Sequence, residues 1–84
     1  MATSRELYGT AGCPFTREMR EHLEWEGHDF VEFDVDADPG ARRRLDALTG
    51  GARMVPVLVE DGQVTSVGWR GRGCALSPAG RGPA

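Results

Sequence analysis

No apolar run in this 84-residue chain approaches the roughly 20 residues needed to span a bilayer, and Met1-Ala2-Thr3-Ser4-Arg5-Glu6 lacks the basic-then-apolar order of a signal peptide. A membrane role is not expected; a cytoplasmic one is. Lysine is absent. All ten basic residues are arginine, set against thirteen acidic residues for a formal charge of -3. The resulting pI near 5.3 argues against a nucleic-acid footprint, which needs a clustered positive excess, with Arg42-Arg43-Arg44 the one local exception. Cysteine is scarce as well. Two cysteines make at most one intramolecular disulfide, too few for a stapled secreted scaffold, and leave a redox or metal role open. No internal repeat is present, and the length suffices for one domain with one modest core.

What is present reads as strand, helix, strand, helix, strand, strand. A short strand around Glu6-Leu7-Tyr8 leads into a turn at Gly9-Thr10-Ala11-Gly12, which opens onto Cys13. The first helix is expected to begin there, because Pro14 suits the first helical position, where its missing N–H costs nothing and its φ is already helical. Phe15, Met19 and Leu23 form its apolar stripe and Gly27 ends it. In Phe30-Val31-Glu32-Phe33-Asp34-Val35, apolar and acidic residues alternate, as in a half-buried strand. Asp38-Pro39 repeats the cap-then-proline start for a second helix with Ala41, Leu45 and Leu48 on its apolar face, stopped by Gly50-Gly51. Val55 through Val59 read as a third strand, and Asp61-Gly62 turns it into Gln63-Val64-Thr65-Ser66-Val67. Helix-linked strands followed by a hairpin predict an α/β domain over residues 1–76, built on a mixed four-stranded sheet. From about Gly71 the composition turns to Gly, Pro, Arg and Ala, and residues 77–84 are expected to be a disordered tail.

The chemistry converges on Cys13. A free cysteine has a pKa near 8.5, so only about 3% is thiolate at pH 7, and the thiolate is the nucleophile. A helix N-terminus supplies unpaired N–H groups and the positive end of the macrodipole, both of which stabilise a sulfur anion. Thr16, three residues on, is placed to donate its hydroxyl to that sulfur, and Arg17 adds a positive charge. The alternative for Cys13 is an inert buried thiol, but a Gly- and Ala-containing loop before Cys-Pro argues for an exposed one.

Gly12-Cys13-Pro14-Phe15-Thr16 resembles the glutaredoxin active site, with Thr16 where dithiol members carry their second cysteine. It is also similar to small glutaredoxin-like proteins that bear selenocysteine. Met54-Val55-Pro56 resembles the family's Thr-Val-Pro, and Asp34-Val35-Asp36-Ala37-Asp38-Pro39 its acidic entry to the second helix. The resemblance implies a thioredoxin-like fold ordered β-α-β-α-β-β with a short C-terminal segment, and a cis Val55-Pro56 bond facing Cys13. It implies a thiol-disulfide oxidoreductase. Cys13 and Thr16 are then catalytic, and substrate contacts come from Pro14, Phe15, Arg17, Met54, Val55, Pro56, Trp69 and Gly73.

One departure concerns the reductant. Gly71-Arg72-Gly73-Cys74-Ala75-Leu76 lacks the acidic pair with which glutathione-binding members hold the γ-glutamyl end. Gly68-Trp69-Arg70-Gly71 instead resembles a segment of glutaredoxin-like electron donors of ribonucleotide reductase, which draw on thioredoxin reductase. Glutathione, another low-molecular-weight thiol and thioredoxin reductase all stand as electron sources. Cys74 is either the thiol that resolves a mixed disulfide at Cys13 or a bystander in a mobile tail. No bound cofactor is expected, and the substrate is a disulfide-containing protein or small thiol met by a monomer. The rival reading is an iron-sulfur carrier of the single-thiol glutaredoxin type. His22, His28, Trp25 and the Arg42-Arg43-Arg44 run read as surface or packing residues, with no metal ligands among the histidines.

Overall fold

The computed structural model describes residues 4–76; the tail expected over 77–84 lies outside the described residues. Strand β1 (Arg5–Gly9) leads into helix α1 (Pro14–Trp25), strand β2 (Val31–Asp34) into helix α2 (Pro39–Thr49). Strands β3 (Met54–Val55), β4 (Val57–Glu60), β5 (Gln63–Val67) and β6 (Cys74–Ala75) follow. The main sheet has the order β2-β1-β4-β5. β1 runs parallel to β2 and antiparallel to β4, and β4 pairs antiparallel with β5. The mixed four-stranded sheet expected from the sequence is therefore the architecture.

Alternation along the strands divides the core between the helices. Leu7 of β1 packs with Met19 and Leu23 of α1, while Tyr8 joins Ala41 and Leu45 of α2 together with Val55, Val57 and Val59. At about 25 cal/mol per Å² of apolar surface, each fully buried side chain of this kind contributes roughly 1.5–3 kcal/mol. β2 lies at the sheet edge, and its first residue, Val31, remains 58% exposed.

Three local expectations change. The buried stripe of α1 is Thr16, Met19 and Leu23, with Phe15 only partly covered. The cause is Gly9: a Cβ there would stand 2.6 Å from the Thr16 hydroxyl oxygen, so the bare backbone lets Thr16 pack against β1. The run from Val55 to Val59 is two strands rather than one, because Pro56 has no N–H to give a ladder. The segment carrying Cys74 is not the mobile stretch that the bystander alternative supposes, since Cys74–Ala75 forms an antiparallel ladder with Met54–Val55.

Candidate active site

The site begins where α1 begins. Cys13 is the residue before the first helical position, with extended backbone, and its carbonyl accepts from Arg17 N–H at 3.2 Å. Its N–H donates to the Thr10 carbonyl, also at 3.2 Å. Its side chain accepts no capping hydrogen bond from the first turn. The Cys13 sulfur is instead bonded to that of Cys74, 61 residues further on, with the two Cα atoms 6.0 Å apart. That spacing lies within the usual range for a disulfide.

The exposed thiol expected from the Gly-Ala loop is not observed: Cys13 is only 2% accessible. Cys13 belongs to the core cluster with Tyr8, Val35 and Val55, and Cys74 packs against that cluster. Solvent reaches the neighbourhood through a shallow cavity of about 100 Å³ lined by Ala11, Gly12, Cys13, Pro14 and Arg17. Both Pro14 and Arg17 therefore border the sulfur's approach.

Cys74 is delivered by a tight reversal after β5. Trp69 N–H donates to the Arg72 carbonyl at 2.6 Å and Arg72 N–H to the Trp69 carbonyl at 2.9 Å. The two residues between them, Arg70 and Gly71, both have positive φ, 53° and 80°. Such a turn favours glycine at both central positions. Beyond it, Cys74 stands opposite Val55 and Ala75 opposite Met54, and Leu76 N–H donates to the Arg53 carbonyl at 2.9 Å. The Val55-Pro56 bond is cis, as the resemblance implies. Val55 and Cys74 thus join Cys13 in one core cluster, with Gly73 against Met54 and Val55.

Thr16 is fully buried, and its hydroxyl has no hydrogen-bond partner. The expected donation to the Cys13 sulfur is not made in this state. A disulfide sulfur carries no negative charge to attract the donor, whereas a thiolate would. Trp69 and Phe15 face a common groove. With Glu18, Arg70 and Arg72 they line a groove of about 330 Å³, and the Trp69 indole N–H donates to Glu18 at 3.2 Å.

Other candidates resolve into structural roles. His22 and His28 both approach one carboxylate oxygen of Glu26, at 3.1 and 3.3 Å. Among the described residues no group of three or more His, Cys, Asp or Glu is arranged to hold a metal. Trp25 is exposed. Arg42 pairs with Asp46, and Arg44 lies over the Phe33 ring while donating to the Tyr8 hydroxyl at 3.2 Å. Burial pushes the Tyr8 phenol above its ordinary value, with Arg44 opposing and Glu6 reinforcing the rise. Sequence reasoning did not find this stack, because its members are far apart in the chain.

The glutaredoxin family model matches residues 6–65, a span that includes Cys13, Thr16 and Val55-Pro56. The chain belongs to the glutaredoxin family. It is 37% identical over 57 residues to the probable glutaredoxin slr1562 of Synechocystis sp. (strain ATCC 27184 / PCC 6803 / Kazusa), covering 67% of this chain and 52% of that one. It is 33% identical over 58 residues to the probable glutaredoxin ssr2061 of the same organism, covering 69% and 66%. The chain thus spans about half the length of the first relative and just under two thirds of the second.

Among solved structures it is similar to the thioredoxin-like protein BC3987, with a TM-score of 0.67, 32% identity, and 74% and 84% of the two chains covered. The glutaredoxin from Archaeoglobus fulgidus superposes with the same TM-score of 0.67 at 24% identity, covering 79% and 75%, which supports the fold. The fold is thioredoxin-like. Family membership and a cysteine pair at disulfide distance support a thiol-oxidoreductase type of chemistry. No helix among the described residues is long and apolar enough to cross a membrane.

Proposed function

We propose that this glutaredoxin-family chain is a dithiol oxidoreductase that reduces disulfides with Cys13 as nucleophile and Cys74 as resolving thiol. The observation that carries this reading is the Cys13–Cys74 bond at the start of α1, with 6.0 Å between Cα atoms. In the reduced protein the Cys13 thiolate sits at the N-terminal end of α1, where the helix dipole and the first-turn N–H groups favour the anion. It attacks one sulfur of a substrate disulfide, forms a mixed disulfide, and expels the other sulfur as a thiolate. Cys74 then attacks the Cys13 sulfur. The substrate leaves as its second thiolate, and the two electrons it gained leave Cys13 and Cys74 as a disulfide. A reducing thiol, either glutathione or another small thiol, or a thioredoxin reductase restores the pair.

Thr16 and Arg17 serve the thiolate in this reading, one as hydrogen-bond donor and the other as a nearby positive charge. Pro14, Phe15, Met54, Val55, Pro56, Trp69 and Gly73 border the substrate. What supports these roles is proximity: Arg17 and Pro14 share the small cavity at Cys13, and Phe15 and Trp69 share a groove on the same helix start. A reduction assay on a small disulfide, run in parallel with glutathione, a second small thiol and a thioredoxin reductase system, tests the function and identifies the electron source. Turnover with at least one donor is expected, and turnover unaffected by Cys13→Ser would refute it. An iron-sulfur carrier would instead absorb in the visible when purified anaerobically.

A further inference from the structure

The strand that carries Cys74 is not part of the main sheet. Among the described residues β6 pairs only with β3, and its register sets Cys74 against Val55 at the point where the cysteine sulfurs meet. An unpaired strand edge is a template on which an extended peptide adds by backbone hydrogen bonds. In this chain the edge of β3 beside the reactive sulfur is covered by the chain's own cysteine-bearing segment. An external polypeptide cysteine that reaches Cys13 along that edge must take the register Cys74 now holds.

We propose that Gly73-Cys74-Ala75 is a built-in copy of the substrate, so that the site selects extended polypeptide segments with glycine immediately before the reacting cysteine, in competition with β6. This rests on the oxidoreductase reading above and adds to it the class of substrate and the manner of its docking. The selectivity comes from Gly73. A Cβ at that position would lie 2.6 Å from the Val55 carbonyl oxygen and 2.9 Å from the Met54 sulfur. The first contact is with backbone, which cannot swing aside. Position 75, by contrast, is exposed, so the residue after the cysteine is not selected.

Competition follows from how short the β6 ladder is, although Cys74 and Leu76 also pack against the core. Its ladder has two register pairs, Met54 with Ala75 and Val55 with Cys74, and one further backbone bond from Leu76 to Arg53. Two-residue pairings are marginal without other support. Once the sulfur of Cys74 is released, an incoming strand of the same shape replaces β6 with little loss. The exchange balances without net oxidation: a peptide thiolate attacks the Cys13 sulfur, the Cys13–Cys74 bond breaks, and Cys74 leaves as thiolate to take up the proton the peptide thiol gave to solvent.

The test mixes the oxidised full chain with each of three thiols at equal concentration: acetyl-Ala-Gly-Cys-Ala-amide, acetyl-Ala-Val-Cys-Ala-amide and 2-mercaptoethanol. Mass spectrometry reads the fraction of Cys13 held as each mixed disulfide. The glycine peptide is expected to exceed the valine peptide by about tenfold or more, the scale of one unfavourable backbone contact. In Gly73→Ala, where β6 itself meets the clash, the glycine peptide adduct rises several-fold over the parent while the preference for glycine persists. Equal adducts with the two peptides overturn the proposal, and the parent comparison decides this even if the variant fails to fold. A Gly73→Ala adduct that is unchanged or lower shows that β6 does not compete. Adduct with 2-mercaptoethanol but no peptide preference refutes this inference and leaves the oxidoreductase reading standing; no Cys13 adduct with either peptide also refutes this inference, while the reduction assay with Cys13→Ser decides the oxidoreductase reading separately.

Discussion

The two helices of this molecule start alike and end up with different tasks. Each begins with proline at its first position and an extended residue before it, Cys13 for α1 and Asp38 for α2. At α2 the preceding residue closes the helix end: the Asp38 carboxylate accepts from Ala41 N–H at 3.1 Å, and Ala41 is buried in the core beside it. At α1 the same place holds a sulfur that caps nothing, and the residue three positions on is a buried threonine whose hydroxyl is unpartnered. One start is finished as structure. The other keeps its polar capacity unspent, and in the proposed mechanism a thiolate at Cys13 is the group that uses it.

This contrast can be broken or sharpened by substitution. The largest effect is expected from Cys13→Ser, which removes the nucleophile and should bring disulfide reduction down to background. Because serine is a good cap, the variant should unfold within about 1 kcal/mol of the reduced parent, as denaturant titration would record. Next is Thr16→Val, which removes the orphaned hydroxyl while keeping the shape. An unsatisfied buried polar group costs about 1–3 kcal/mol, so the oxidised protein should gain stability. The reduced protein should lose its donor to the thiolate, and alkylation of Cys13 by iodoacetamide at pH 6 should slow by about tenfold, the scale of one charge-assisted hydrogen bond. Unchanged alkylation would show that Thr16 only fills space. The smallest effect belongs to Asp38→Ala, which should cost about 1 kcal/mol of stability and leave the exchange rate per folded molecule unaltered.

The helix starts were readable from sequence because their signals are local: cap, proline and terminal glycine act within one turn. The strands were readable for the same reason, from the β-prone runs and the Asp61-Gly62 turn, although the alternation expected over Val31 to Val35 is not the burial pattern: β2 is an edge strand with Val31 and Glu32 exposed. What escaped depends on distant partners. That Thr16 rather than Phe15 is buried follows from Gly9 on β1, which no periodicity within α1 contains. The pairing of Cys74 with Val55 was hidden because β6 is only two residues long and lies in a glycine- and arginine-rich stretch resembling a tail. The one local hint was Arg70-Gly71, a turn dipeptide that the structure uses to send the chain back toward β3. Sequence placed Cys13 and left Cys74 with two roles; the register of a short ladder is what brings the two sulfurs together.

The central claim is that Cys13 and Cys74 form one redox pair within a single chain. Peptide mapping of the reduced protein after mild oxidation at low concentration tests it most directly. A linked fragment joining Cys13 to Cys74 is expected, lost on reduction and absent in Cys74→Ser. Cys13 found only in small-thiol or intermolecular adducts, with Cys74 free, would contradict it.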